Sequence, residues 1–133
     1  MENDATAPEN PGDEKNAIAK GYKRLSGHEM KEKLVGKQFI GGYLRGFRYI
    51  ISIGFDGSLE GKNNYQHYDS GKWIIDLEDS TMEVVWLNGW DNTTTHLYEI
   101  GKEIIMYDKD TGKWRTSFYH EVDKVQDIEH FQF

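Results

Sequence analysis

Two short segments hold the side chains best suited to chemistry. Tyr65-Gln66-His67-Tyr68-Asp69 gathers two phenols, an imidazole and a carboxylate at nearly successive positions. Tyr and His pair an apolar body with a polar tip, which suits a small aromatic or lipidic ligand. Trp86-Leu87-Asn88-Gly89-Trp90-Asp91-Asn92 sets two indoles among Asn and Asp. Such a pair can stack on a sugar ring or anchor a protein partner, because Trp is enriched at binding hot spots. A plainer role competes with each: a Tyr-rich strand end packed on a rim, and a core Trp86 beside a partly exposed Trp90. Asn63 and Tyr65 share strand parity with Leu59 and are expected to face inward with it. The candidate ligand-binding set is therefore Asn63, Tyr65, His67, Tyr68, Trp86 and Trp90.

Catalytic and metal chemistry find less support. The five histidines, His28, His67, His96, His120 and His130, form neither H-x-H nor H-E-x-x-H. His120-Glu121-x-Asp123 is the nearest cluster of metal-ligating types and reads as a solvated strand end. There is no G-x-S-x-G nucleophile turn and no glycine-rich phosphate cradle. With no cysteine, the chain offers no thiolate metal site, no disulfide framework and no thiol nucleophile. No metal, cofactor or catalytic residue is assigned. A small hydrolase or isomerase using His67 or His96 with a nearby carboxylate is kept as an alternative. It requires that imidazole inside the fold, within hydrogen-bond reach of the acid.

The charge balance narrows the partners. Sixteen basic against 23 acidic residues give a net charge of −7. Phosphate-backbone binding needs clustered Lys and Arg, so nucleic acid is not the expected partner. No apolar run approaches the roughly 20 residues of a membrane-spanning helix.

These side chains must be held by the rest of the chain, whose length of 133 residues suits one domain. Residues 1–20 carry both prolines, five acids and almost nothing large and apolar. They are expected to form a disordered acidic tail, with residues 21–133 as a single domain. A polar, Pro-bearing tether of this kind suits an exported protein after signal removal. A periplasmic or secreted location is the expectation, with a cytoplasmic one as the alternative.

Ser26-Gly27-His28-Glu29 fits the S-x-x-E capping box, and Gly36 is placed to end a helix. One short helix is expected over residues 27–35. Beyond it the pattern has period two. Phe47, Tyr49, Ile51, Ile53 and Phe55 alternate with other residues, Ile50 being the exception; Asp56-Gly57 follows as a hairpin turn. Trp73, Ile75 and Leu77 alternate, as do Met82, Val84 and Trp86, and Trp114, Thr116 and Phe118. His96, Tyr98 and Ile100 form a further run. Asp69-Ser70-Gly71 reads as a turn, and a last segment over 125–133 puts Phe131 and Phe133 on one face. Asp69-Ser70-Gly71-Lys72-Trp73 is echoed at Asp110-Thr111-Gly112-Lys113-Trp114, which is read as turn chemistry recurring before a Trp-led strand, with a duplicated blade or half-barrel as the alternative.

Several of these motifs resemble those of small bacterial lipocalin-like domains, many of them exported. The likeness rests on Phe55-Asp56-Gly57, on Gly71-Lys72-Trp73, on the strand ending in Trp86 and on Leu25-Ser26-Gly27. In lipocalins proper the G-x-W element lies on the first strand; here it falls mid-chain. The resemblance therefore implies a calycin-like barrel rather than a particular ligand.

The fold expected is mainly β: an antiparallel up-and-down lipocalin-like barrel of about seven to nine strands with one short N-terminal helix. A two-sheet β-sandwich is the alternative. The expected function is non-enzymatic binding of a small apolar or aromatic ligand or a cell-envelope component, by a monomer. The competing function is an envelope interaction or inhibitor module that docks a protein through an exposed Trp90 loop.

Overall fold

Alternation along the strands sets which face is buried. In the computed structural model, which describes residues 10–43 and 46–133, Tyr49, Ile51 and Ile53 share one face of a strand and are all buried. The elements in chain order are α1 (Glu14–Ala19), β1 (Lys23–Arg24), α2 (Gly27–Leu34), β2 (Lys37–Gly42), β3 (Arg48–Ile53) and β4 (Ser58–Asn63). β5 (Tyr68–Asp76), β6 (Thr81–Trp86), β7 (Thr93–Ile100), β8 (Glu103–Asp108) and β9 (Trp114–Glu121) complete them.

From β2 to β9 each strand pairs antiparallel with the next. β9 then pairs back onto β2, from Phe39 opposite Glu121 to Gly42 opposite Ser117, and the register shifts between Ile40 and Gly41. The result is a closed eight-stranded up-and-down barrel. Closure leaves no open edge among these strands. The sandwich alternative is set aside. β1 lies outside the ring and pairs with β7 through Lys23–Glu99 and Arg24–Tyr98. No helix among the described residues is long and apolar enough to cross a membrane.

α2 plugs one end. Ser26 Oγ accepts the Glu29 N–H at 3.1 Å, and Glu29 Oε1 accepts the Ser26 N–H at 2.9 Å. That is the reciprocal capping box legible in the sequence. Leu25, Met30 and Leu34 are fully buried in one cluster with Ile53, Leu59, Ile75, Leu97 and Ile104. Gly36 takes a left-handed φ of 81° and donates its N–H to the Ile53 carbonyl, turning the chain into β2.

The outer wall is covered twice. α1 lies over β7 and β8, where Ala17, Tyr98, Ile105, Tyr107 and Trp114 form a second apolar cluster. This departs from the expectation of a disordered tail through residue 20. Residues 10–20 belong to the fold, and residues 1–9 lie outside the described residues. One small side chain, Ala17, buries completely, and Glu14 hydrogen-bonds to the wall. Tyr98 is thus on the outer face, and Leu97, not the His96/Tyr98/Ile100 run, faces the barrel core. On the opposite wall the chain after β9 runs as a strap over β2, β3 and β4. Ile128 is buried there, Gln38 exchanges two hydrogen bonds with Gln126, and Lys62 Nζ reaches the Glu129 carbonyl at 2.8 Å. This explains why Ile50 breaks the alternation: it points outward and is still completely buried. The segment expected to place Phe131 and Phe133 on one face forms no strand.

Two further expectations are corrected. Asp69-Ser70-Gly71 lies within β5, and the chain reverses before it, where Gln66 takes a φ of 68°. Phe55 is 85 % exposed in the β3–β4 turn, since β3 ends at Ile53.

Candidate functional site

The end opposite α2 is not filled. A cavity of about 570 Å³ lies inside the barrel, lined from β3, β4, β6, β7, β8 and β9. Ile51, Met82, Met106 and Phe118 supply apolar wall; Thr93, Thr95, Thr116 and Asn63 supply polar atoms. Eight strands give an interior just wide enough for side chains or one small ligand. Here, two glycines let aromatic rings cross the lumen.

Gly41 is the first. An added Cβ there would lie 2.6 Å from the Tyr49 hydroxyl. Lacking one, β2 allows the Tyr49 ring to pass and place its oxygen 2.6 Å from Thr116 Oγ1 on β9. Thr116 donates its own proton to the Gly42 carbonyl at 2.8 Å, so Tyr49 is the donor in the shorter bond. Burial pushes the Tyr49 phenol well above its ordinary range and keeps it protonated.

Gly61 is the second. A Cβ there would lie 2.7 Å from the Trp90 ring and 3.1 Å from the Trp86 ring. The two indoles pack with centroids 4.7 Å apart, and Tyr49 meets Trp90 edge-on at 6.4 Å. Asp69 holds this arrangement. Its carboxylate is 1 % exposed and accepts the N–H groups of Ser70, Asn88 and Trp90 and the Asn88 side-chain amide. Asn92 Oδ1 accepts the Trp86 N–H and closes the far side of the loop. A buried carboxylate facing only N–H donors is satisfied through charge-assisted hydrogen bonds. The β6–β7 loop is thereby folded back into the mouth.

The six candidates separate clearly. Asn63, His67, Trp86 and Trp90 line the cavity. Asn63 is 5 % exposed, and its Oδ1 accepts the N–H groups of Tyr65 and His67 at 2.9 and 3.0 Å. His67 sits exposed on the rim. Tyr65 is also exposed and does not enter the lumen; its ring stacks on Phe47, with centroids 6.2 Å apart. Tyr68 is a correction. It pairs opposite Lys62 on the outer face and donates its hydroxyl to Glu60 Oε2 at 2.7 Å. That bond, with some burial, raises its phenol to about 12. The parity of β5 separates it from its neighbour: Asp69 points in and Tyr68 points out.

Sequence reasoning missed Asp69, Tyr49, Tyr43 and Trp114. Tyr43 stacks on Trp114 at 4.6 Å; Trp114 belongs to the outer-wall cluster and also borders the cavity. The available signal was parity, since Asp69, Gly71, Trp73 and Ile75 form one alternating series. Trp90 is half-buried against the core cluster, not an outward anchor; the exposed apolar tip of its loop is Leu87.

The imidazole–carboxylate contact is on the other side of the wall. His96 Nδ1 lies 2.8 Å from Glu14 Oε2, which also accepts the Tyr98 hydroxyl at 2.8 Å. Burial, with the Glu14 carboxylate beside it, pushes the Tyr98 phenol up to about 12. This trio ties α1 to the barrel and does not line the cavity. No group of three or more His, Asp or Glu that could hold a metal ion occurs among the described residues.

No family model matches the chain, and no curated protein or solved structure matches it either.

Proposed function

We propose that this chain is a non-enzymatic, lipocalin-like binding protein that takes one small apolar or aromatic molecule into the mouth of its barrel. One observation carries the reading: a cavity of about 570 Å³ walled mainly by aromatic and aliphatic side chains with a few polar atoms. Small-molecule sites share this size and this mixture. The rings of Tyr49, Trp86 and Trp90 are held by glycine gaps and by Asp69, so the wall is formed before a ligand arrives. A preformed wall avoids ordering costs on binding. An origin of the ligand in the cell envelope, with the protein exported, belongs to the same proposal and is supported by the sequence resemblance.

The test is a titration with N-phenyl-1-naphthylamine, an uncharged dye whose emission rises in apolar surroundings. Saturable binding of one dye per chain is expected. Val84→Phe, which adds bulk to the cavity wall, should weaken it by about tenfold or more while circular dichroism stays unchanged. No saturable binding, or equal binding by the variant, overturns the proposal.

A further inference from the structure

We infer that the ligand carries an uncharged oxygen acceptor, of the ketone or amide kind, and that Asn63 is the residue that reads it. The inference rests on the cavity-binding proposal and specifies what that cavity selects.

Asn63 is buried at the end of β4 and lines the cavity. Its amide cannot turn freely. Oδ1 is fixed by the Tyr65 and His67 N–H groups, and the Asn63 backbone N–H donates to the His67 carbonyl at 3.0 Å. With the oxygen committed to the β4–β5 turn, Nδ2 is left as a donor. It has no hydrogen-bond partner among the described residues. Nδ2 is not one of the sealed, unpartnered atoms among the described residues, so it is open to the water of the cavity, and a ligand oxygen there can take that water's place.

This donor is set apart by being held in a fixed orientation by two backbone N–H groups on its own oxygen, and several other polar groups of the lumen are paired within the protein. Thr116 Oγ1 and the Tyr49 hydroxyl bond each other, and Thr95 Oγ1 reaches the Met82 carbonyl at 3.3 Å. The buried charge of Asp69 is consumed by the β6–β7 loop. Arg115, at the rim, faces Asp91 at 3.7 Å. Among the described residues that line the lumen, Arg115 is the one Lys or Arg and it already faces an acid, and burying an unpaired ligand carboxylate is costly. An uncharged acceptor on an apolar ring system avoids that cost and still satisfies Nδ2.

Calorimetric titration with 2-acetylnaphthalene, 2-isopropylnaphthalene and 2-naphthoate tests this directly. The first two differ mainly in a carbonyl oxygen. The ketone should bind about five- to tenfold tighter than the hydrocarbon, the ratio one neutral hydrogen bond provides. Asn63→Asp keeps an oxygen for the Tyr65 and His67 N–H groups and removes the donor, so it should abolish that preference while the hydrocarbon still binds. Equal binding of ketone and hydrocarbon by the wild type overturns the inference and leaves the cavity proposal standing. So does a preference that survives in Asn63→Asp. Tightest binding by 2-naphthoate, lost in Arg115→Gln, also overturns it by moving the anchor to the rim. Binding of none of the three overturns the cavity proposal together with the inference.

Discussion

The Trp90 ring rests on the backbone of Gly61, so close that a Cβ on Gly61 would lie 2.7 Å from it. An indole from the β6–β7 loop is thus seated on a β4 residue at the mouth of the barrel. Gly61→Ala must displace either the ring or the strand. Overpacking of this kind costs about 1–3 kcal/mol. The expected result is a lower denaturation midpoint and a red-shifted Trp emission, as Trp90 moves toward water. An unchanged emission spectrum would mean that the ring does not rest there.

Asp69 and the β6–β7 loop should behave as one unit. Asp69→Ala leaves the Asn88 and Trp90 N–H groups without their acceptor, at a cost of about 2–3 kcal/mol. Amide hydrogen exchange should accelerate at Asn88 and Trp90 well before the rest of the barrel. Asp69→Asn keeps one acceptor oxygen and should lose less. The same exchange rates in wild type and Asp69→Ala would show that the carboxylate does not hold the loop.

The capping box predicts an acid-side signature. In the unfolded chain Glu29 titrates near 4.5; in the fold it is lowered to about 2 by Lys23, whose Nζ lies 2.6 Å away, and by the Ser26 N–H. Because the folded value is the lower one, its contribution is present above 4.5 and is lost as pH falls toward about 2. Glu29→Gln should therefore be less stable than wild type at neutral pH, with the two urea midpoints converging in acid. A constant difference across that range would contradict the assignment.

The C-terminal strap is expected to be structural. Ile128→Ala removes a buried side chain that covers the outer wall and should cost about 2–4 kcal/mol. Dye binding in the lumen should be kept, because Ile128 lies outside the barrel. Loss of binding without loss of stability would tie the strap to the site.

What could be read in the sequence follows the range of the physics involved. The α2 capping box and the period-two pattern are local: the box appears at residues 26–29, and the alternation read over residues 47–55 appears as the shorter strand Arg48–Ile53. Long-range covers were hidden. Ile50 breaks the alternation because a strap far along the chain buries it from outside. Tyr98 is apolar surface for α1, a helix that a sequence with a single buried Ala17 does not announce. The site was half legible for the same reason. Trp86, Asn63 and, through its loop, Trp90 follow from composition and parity. Asp69 read as a turn residue because Asp-Ser-Gly is ordinary turn chemistry, and only the inward parity it shares with Trp73 marks it as a lumen group. Tyr68 falls in a segment that reads as a connection between strands; it opens β5 instead, one residue before Asp69 and therefore on the other face of the strand.

The central claim is that a small apolar molecule enters the mouth between Tyr49, Trp86 and Trp90. The four indole N–H signals of a nitrogen-15-labelled sample report on it directly during titration with N-phenyl-1-naphthylamine. Those of Trp86 and Trp90 should shift and saturate together. That of Trp73, whose Nε1 donates to the Gly54 carbonyl at 2.8 Å beside the β3–β4 turn, should stay in place. Signals that do not move at a dye excess, or a shift confined to Trp73, would contradict the account.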